Sequence, residues 1–587
     1  DGSAVLLAET RAPAVDITAQ SQAIHAVKQA FANLPGSDSL KLELTGVGAF
    51  SVELQNTIRA EAQKRTILAM TALLTVLLVL YRKFRLLLLA ALPVGMGFVV
   101  GLAMVALVFD SVHGITLAFG FTLMGVAIDY PLHLFSHARL GSGHAAIKLI
   151  WPTLRIGAAS TAIAYIAIAL SGSEGLAQLG IFTASGVIVA ALVTRYWLPL
   201  FIVERPRLKA GAEVGLQQPS LAFSPVTLIL LLTLLGARLL LEDGMWDDTL
   251  SSLSPVPEPR LMTDNVLRSA AGTPDMRYQL VLHAASLETL LRESESVDLL
   301  LQQAVHDGLL QSWQSVSLLL PSRYLQKKRQ DAIPDSALLH ARLSDVVAET
   351  SFRVAAFEPF ENNARTAKTL EPLMPAQFEA TPLASWLGSH LIHVGGQWVS
   401  LVSMGYPDPQ ALALRLKTWE PQVELIDLQQ STIGLMRDYR NSALKTIAYA
   451  SLVIIALLLF EQKQARKVFW IVLTVMGSLT VTIVSVAILH SGLTIIHLVG
   501  LLLVMGLGLD YALFLSRTET AAEQKATRHA VVACALTTTL TFGILAGSSI
   551  PVLKFLGLTV ATGSAASFIL AFAGSRVSKK ALNQSDD

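Results

Sequence analysis

The sequence Met124-Gly125-Val126-Ala127-Ile128-Asp129-Tyr130 returns later in the chain as Met505-Gly506-Leu507-Gly508-Leu509-Asp510-Tyr511. A second pair of related segments follows, Leu179–Gly186 after the first copy and Leu556–Gly563 after the second. Internal repetition over a long interval is typical of duplicated structural units. The chain is therefore predicted to contain two equivalent halves, each with an Asp-Tyr pair inside a long apolar segment.

The composition indicates a membrane protein. Apolar residues make up 53% of the 587 and charged residues only 15%, which is too little charge for the surface of a soluble chain of this length. The net charge is +1, and the single cysteine is Cys534. These features exclude a basic nucleic-acid-binding surface, an intramolecular disulfide and a cysteine-based metal site. Cys534 lies in an apolar run and is predicted to be a small core residue.

Eleven apolar runs are predicted to cross the membrane as helices, because roughly 20 helical residues span its hydrocarbon core. The predicted spans are Thr66–Tyr81, Phe84–Phe109, Gly114–His137, Ala145–Ser171, Leu176–Val203, Phe223–Leu241, Ala443–Phe460, Lys467–His490, Leu493–Leu515, Arg528–Gly547 and Pro551–Ala573. Alternate short loops carry the Lys and Arg residues, and the loops between them carry neither. Basic loops face the cytoplasm, so the C-terminus is predicted to be cytoplasmic.

Two segments are predicted to fold outside the membrane. Residues 1–62 are interpreted as strand (Ala4–Thr10), helix (Ile17–Leu34) and strand (Leu40–Thr45), then a helix that enters the membrane. Residues 242–440 have the alternation of β-α-β units, which predicts an α+β domain. Its predicted strands are Met276–His283, Trp313–Leu320, His390–Met404 and Val423–Leu428, and its predicted helices are Leu287–His306 and Pro409–Trp419.

The two halves differ in length. The second has a span and about 200 soluble residues before its last five spans, whereas the first has only 62 residues there. Repeat symmetry therefore predicts that a first membrane helix and most of a first soluble domain precede this sequence. An odd number of spans also leaves the two termini on opposite sides, whereas two sets of six place both in the cytoplasm.

Asp129 and Asp510 are candidate functional residues, because a carboxylate at the bilayer centre costs about 2.5–3.5 kcal/mol. An even number of crossings separates the two motif helices, so they run parallel and a twofold axis along the membrane normal can relate them. Adjacent helix residues point about 100° apart. Twofold packing would then bring Asp129 towards Tyr511 and Asp510 towards Tyr130.

This geometry predicts a proton switch. Gly125 and Gly506 lie one turn before the acids and are predicted to let the two motif helices approach closely. Burial disfavours a charged carboxyl and a phenol hydrogen bond favours it, so the pairs are expected to exchange protons near neutral pH. A static hydrogen-bonded contact between helices is the alternative interpretation.

The chain resembles the resistance–nodulation–division (RND) superfamily, and within it the MMPL-like lipid exporters, including the bacterial "predicted exporters". The resemblance rests on Gly-x-x-x-Asp-Tyr in the fourth helix of each half, the six-span repeat with its large loop, and the loop charges. It implies an α-helical polytopic membrane protein with two parallel pseudo-twofold repeats and α+β porter-like domains. It also implies a proton relay of Asp129, Tyr130, Asp510 and Tyr511.

With this resemblance the chain is predicted to divide into seven regions. These are 1–62, the end of a first periplasmic domain; 63–205, a first bundle of five helices; 206–222, a cytoplasmic linker; 223–241, the first helix of the second repeat; 242–440, a second periplasmic α+β domain; 441–576, a second bundle of five helices; and 577–587, a cytoplasmic tail.

Weaker candidates surround the relay. His133, one turn after Asp129, is a candidate for passing protons to the cytoplasm. Its repeat counterpart is Phe514, so a packed polar residue is an equally good interpretation. Thr537 and Thr538 are candidates that line the relay, with bonding to their own helix as the alternative.

The resemblance implies export of a lipid or other hydrophobic molecule from the bacterial inner membrane, driven by protons and without another cofactor. The family's drug-efflux trimers have a larger outer domain, so the resemblance implies a monomer or dimer here, with a periplasmic carrier as a further potential partner. Two alternatives are a relative of the Sec-associated translocation subunits and a non-transporting lipid-sensing scaffold. Asp-Tyr in both halves argues against each of them. An enzyme is not expected, because the sequence has no nucleotide loop, metal cluster or nucleophile motif.

Overall fold

The computed structural model describes most of the chain. The described residues are 4, 6, 8, 10, 16–113, 116, 125, 127–202, 243–254, 256, 258–270, 277–381, 383–405, 407–418, 423–489, 492–517 and 520–583. Two compact units divide the chain: residues 1–9 with 258–432, and residues 10–257 with 433–587.

The described residues of the first part of the larger unit form six α-helices. In chain order they are α1 (Ile17–Ala32), α2 (Val47–Tyr81), α3 (Phe84–Val108), α4 (Asp129–His137), α5 (Gly143–Ala169) and α6 (Glu174–Tyr196). The hairpin from α2 to α3 is tight because Arg82 adopts a left-handed conformation (φ 51°) and donates its N–H to the carbonyl of Leu78. Lys463 has the same conformation (φ 52°) in the equivalent loop of the second half.

The smaller unit is an α+β domain on an antiparallel sheet. Its elements are α7 (Glu258–Ala270), β1 (Tyr278–Ala284), α8 (Leu287–His306), β2 (Ser312–Gln314), α9 (Val316–Leu319), α10 (Arg323–Asp331), α11 (Ser336–Ala348), α12 (Glu358–Ala367), α13 (Ala384–His390), β3 (Leu391–Val394), β4 (Gln397–Gly405), α14 (Pro409–Leu416) and β5 (Glu424–Asp427). The strand order is β2-β4-β1-β5, with β3 paired to β4. Since β1 and β2 both run antiparallel to β4, they are parallel to each other with β4 between them. β4 and β5 likewise flank β1, so the domain contains two split β-α-β units.

Two of the predicted strands in this domain are wrong in extent. The Trp313–Leu320 strand ends at Gln314 and is followed by α9. Between them, the hydroxyl of Ser315 donates to the carboxylate of Asp298 at 2.7 Å. The His390–Met404 strand is a hairpin of β3 and β4. Gly395 and Gly396 have positive φ values (60° and 79°), as a two-residue hairpin turn requires.

Five long helices complete the larger unit. They are α15 (Leu428–Gln462), α16 (Ala465–Leu489), α17 (Ile495–Leu515), α18 (Ala521–Ala546) and α19 (Pro551–Asn583). Within the described residues, nine helices are long and apolar enough to cross a membrane: α2, α3, α5, α6 and α15 to α19. Each of the nine contains most of a predicted span.

The other predictions fall mainly outside the described residues. The span Gly114–His137 is described continuously only from residue 127, where it contains α4. The span Phe223–Leu241, the linker 206–222 and most of the strand Ala4–Thr10 lie outside. Residues 40–45 form no sheet ladder with any described segment.

Candidate functional site

The two motif aspartates are buried inside the larger unit. Asp129 is the first residue of α4 and is 2% exposed, and Asp510 lies in the second half of α17 and is 5% exposed. Tyr130 and Tyr511 are also buried. All four side chains therefore face protein rather than lipid, as intramembrane acids with a function generally do.

Each motif helix packs against a helix of the opposite half, α4 against α18 and α17 against α5. A Cβ atom at Gly125 would lie 2.7 Å from the ring of Phe542, and one at Gly506 would lie 2.9 Å from the hydroxyl of Thr161. Thr161 and Phe542 are as far apart along the chain as the two glycines. The two contacts are therefore equivalent under the predicted twofold axis.

This packing corrects the prediction for the two glycines. They do not lie between the two motif helices. Gly125 instead accommodates the Phe542 side chain of α18, and Gly506 accommodates Thr161 of α5. The close approach that they permit is between each motif helix and the fifth helix of the other half.

The motif helices contact each other one turn beyond the acids. The imidazole of His133 stacks on the ring of Phe514, with ring centroids 3.7 Å apart and planes inclined by 13°. These two residues are repeat counterparts, and direct contact between counterparts is expected close to a twofold axis. His133 is thus both packed and adjacent to the motif.

The structure brings the four motif side chains together. Tyr130 lies within electrostatic range of Asp510, and Tyr511 within range of Asp129. Among the described residues, neither carboxylate oxygen of Asp129 nor the hydroxyl of Tyr130 has a hydrogen-bond partner, although all three atoms are buried. Buried polar atoms without partners are rare and call for an explanation. One explanation is that the acid exchanges protons with its surroundings.

The two acids have different surroundings. The carboxyl carbon of Asp510 would lie 2.8 Å from a Cβ atom at Gly157 of α5, so any larger residue there would displace the acid. The position equivalent to Gly157 in the second half is Thr538. Its hydroxyl donates to the carbonyl of Gly125 at 3.4 Å, so it bridges α18 to the motif helix.

Two further residues complete the site. Cys534 is fully buried, as predicted for a core residue, and its thiol lies 3.9 Å from the carbonyl oxygen of Asp129. The hydroxyl of Thr537 donates to the carbonyls of Ala533 and Cys534, at 2.9 and 3.0 Å, within its own helix. Thr537 thus bonds to its own helix, which was the alternative to lining the relay. Gly157 and Cys534 were not predicted as site residues, because spacing along one helix does not reveal what another helix places opposite it.

The cluster contains groups that are able to carry protons. Carboxyl, phenol and imidazole groups are the usual proton donors and acceptors in proteins. Within the described part of the chain, no group of three or more His, Cys, Asp and Glu residues is arranged to hold a metal ion.

Comparison with known proteins finds one family model that matches part of the chain and solved structures with a similar fold. The model of the MMPL family matches residues 1–223, and no curated protein matches the sequence. The hedgehog release protein Disp from the water bear Hypsibius dujardini has a similar structure, with a TM-score of 0.51 and 13% identity over 91% of this chain and 72% of that one. SecDF, a translocon-associated membrane protein from Thermus thermophilus, aligns with a TM-score of 0.48 and 14% identity, over 91% of this chain and 63% of that one.

The likeness to Disp is one of fold. It agrees with the nine apolar helices and the small antiparallel sheet described above. The MMPL model covers less than half of the chain, so it shows a similarity of residues 1–223 to that family.

Proposed function

We propose that the protein exports a lipid or another hydrophobic molecule and that protons moving through the Asp-Tyr cluster drive the export. The observation that carries the proposal is the pair of buried acids, Asp129 and Asp510, each packed at the boundary between the two halves. A proton that falls through about 100 mV releases roughly 2.3 kcal/mol. Because both acids lie where the two halves contact each other, the energy of each proton is released at those contacts.

The crossed packing supports coupling between protonation and movement. Asp510 lies against Gly157, which belongs to the other half. Gain or loss of charge on Asp510 changes the free energy of that contact, because an unpaired charge away from water is costly. Rocking of one bundle against the other is the usual response in transporters built from repeats.

An apolar cleft supports a hydrophobic cargo. It encloses about 360 Å³ between α15, α16 and α17, and nearly all of its lining is hydrophobic side chains. Met505 and Leu509 line it from the motif segment of α17, so a molecule in the cleft contacts the helix that carries Asp510. Pockets of this size hold small organic ligands.

The remaining parts of the proposal follow from the sequence. The protein lies in a bacterial inner membrane with its basic loops and C-terminus in the cytoplasm and its α+β domain in the periplasm. It uses protons as the coupling ion and no other cofactor. It acts as a monomer or dimer, and a periplasmic carrier receives the cargo.

The test uses the purified chain in liposomes that contain an acyl-chain-labelled fluorescent phospholipid. An imposed pH gradient should release this lipid to albumin outside. Asp129→Asn and Asp510→Asn should each lower the gradient-dependent rate by about a hundredfold or more, as expected for loss of an essential proton carrier. Asp345→Asn, at an exposed position of α11, is the matched control and should not change the rate. Normal release by either motif variant would contradict the proposal.

A further inference from the structure

Three titratable side chains follow each other along one face of α4. Asp129, His133 and His137 are spaced four residues apart, so they lie one above the other on the helix. All three are buried, at 2%, 2% and 1% exposure. The stripe begins at the proton cluster and ends where α4 ends, beside the basic loop that contains Arg139.

The hydrogen bonds of His137 define how its ring carries a proton. Nδ1 lies 2.9 Å from the carbonyl oxygen of His133, and Nε2 lies 3.0 Å from the hydroxyl of Thr527 on α18. A carbonyl oxygen only accepts, so Nδ1 carries the hydrogen in the neutral ring and Nε2 accepts from Thr527. Nε2 is thus the nitrogen that can take up a further proton.

His133 lies between Asp129 and His137 on α4, and its ring is fixed in place. Its ring is fixed by the stack on Phe514, and its Nδ1 is buried without a hydrogen-bond partner in the described part of the chain. The second half has no equivalent, because Phe514 occupies the same position after Asp510 and cannot carry a proton. The two halves therefore differ at this point.

Charged groups lie near His137, at the end of the stripe away from Asp129. Arg517, which follows α17, lies within electrostatic range of both His133 and His137. Glu523 on α18, one turn before Thr527, lies within range of His137 and is half-buried. A second group packs next to α4, where Arg139 lies 3.2 Å from Nε2 of His529 and the hydroxyl of Tyr81 lies 3.0 Å from that of Ser136.

We propose that protons leave the relay on the first half's side, from Asp129 to His133, to Nε2 of His137, and past Thr527 to Glu523 and water. This inference rests on the proposed function and specifies where its protons exit. Each step moves one proton. Asp129 becomes a carboxylate, and each imidazole becomes an imidazolium and then returns to neutral. The Glu523 carboxylate takes up the proton and releases it to water. Side chains one turn apart on a helix have Cβ atoms about 5–6 Å apart, within reach of a hydrogen bond or of one bridging water.

The test follows the proton on Asp129 itself, so it needs no cargo. In the full chain in liposomes, infrared difference spectroscopy records the carbonyl band of protonated Asp129 after a jump to higher pH. The band is assigned by its loss in Asp129→Asn. His133→Phe keeps a flat ring against Phe514 but removes the proton carrier, and should slow the decay of the band at least about tenfold. His144→Phe, at an exposed position of α5, is the matched control and should not slow it.

Chemical rescue separates proton transfer from packing. His133→Ala should be slow in buffer, and added imidazole should restore a rate close to that of the unchanged protein in the same sample. An unchanged decay in His133→Phe, or failure of imidazole to accelerate His133→Ala, would overturn the proposed exit path. Either result leaves the relay itself intact. Failure of the relay would instead appear as an Asp129 band that does not respond to pH at all.

Discussion

At the scale of single residues, function depends on where small side chains leave space. Asp510 is held in the boundary between the halves because Gly157 has no side chain, whereas Thr538 fills the equivalent position beside the first motif. The two copies of Asp-Tyr are therefore similar in sequence and different in surroundings. The absence of a side chain at Gly157 is what leaves space for the carboxylate of Asp510.

Gly157→Ala should damage the site. The new methyl group would overlap the carboxylate of Asp510, and helix packing at α5 is too tight to absorb it. We expect a lower unfolding temperature in detergent and at least about a tenfold loss of pH-driven release, since misplacement by about 1 Å costs that much or more.

Gly543→Ala is the control for this substitution. A Cβ atom at Gly543 on α18 would meet no atom within 4 Å, and alanine is about 1 kcal/mol more favourable than glycine inside a helix. This variant should be as stable as the unchanged protein or more so. Equal behaviour of the two variants would show that the space beside Asp510 is not limiting.

At the scale of helices, a polar clamp joins α2 of the first half to the turn between α18 and α19 of the second. Arg65 donates to the carbonyls of Ile544, at 3.3 Å, and Gly547. Glu61 holds the guanidinium at 2.8 Å and accepts the backbone N–H of Ser549 at 3.3 Å. We expect the clamp to couple movement of the two halves, because it ties an element of each to the other.

Arg65→Gln should weaken the clamp without touching the acids. Hydrogen bonds from a charged group contribute about 1.5–3 kcal/mol each, so we expect a measurable fall in the unfolding temperature and a several-fold loss of lipid release. Arg59→Gln, at an exposed position of the same helix, is the matched control. Release at the normal rate by Arg65→Gln would mean that the halves are coupled elsewhere.

Helix ends also mark the limit of what hydropathy predicts. The predicted span began at Ala443, yet α15 begins at Leu428, where Asp427 accepts the N–H groups of Gln429 and Gln430 at 2.9 and 3.1 Å. An apolar run reveals only the part of a helix that meets lipid, and a polar extension needs its cap to be recognised. In contrast, the bounds of α8 were predicted correctly, because its apolar face repeats regularly and Ser286 caps it.

At the scale of the whole molecule, the repeat predicted the architecture better than it predicted the contacts. The apolar runs were sufficient to predict a membrane protein with many helices, and its fold is similar to that of Disp. The partners of Gly125 and Gly506 were not predictable, because they belong to helices of the opposite half. Symmetry fixes which positions are equivalent, whereas packing decides which of them touch.

The central claim is that Asp129 and Asp510 act as one unit across the boundary between the halves. The most direct test compares pH-driven lipid release by Asp129→Asn, Asp510→Asn and the variant with both changes. Residues that act as a unit give non-additive losses, so all three variants should retain the same residual rate. If the losses multiplied in the double variant, or if one single variant released lipid normally, the two acids would be independent and the account would be wrong.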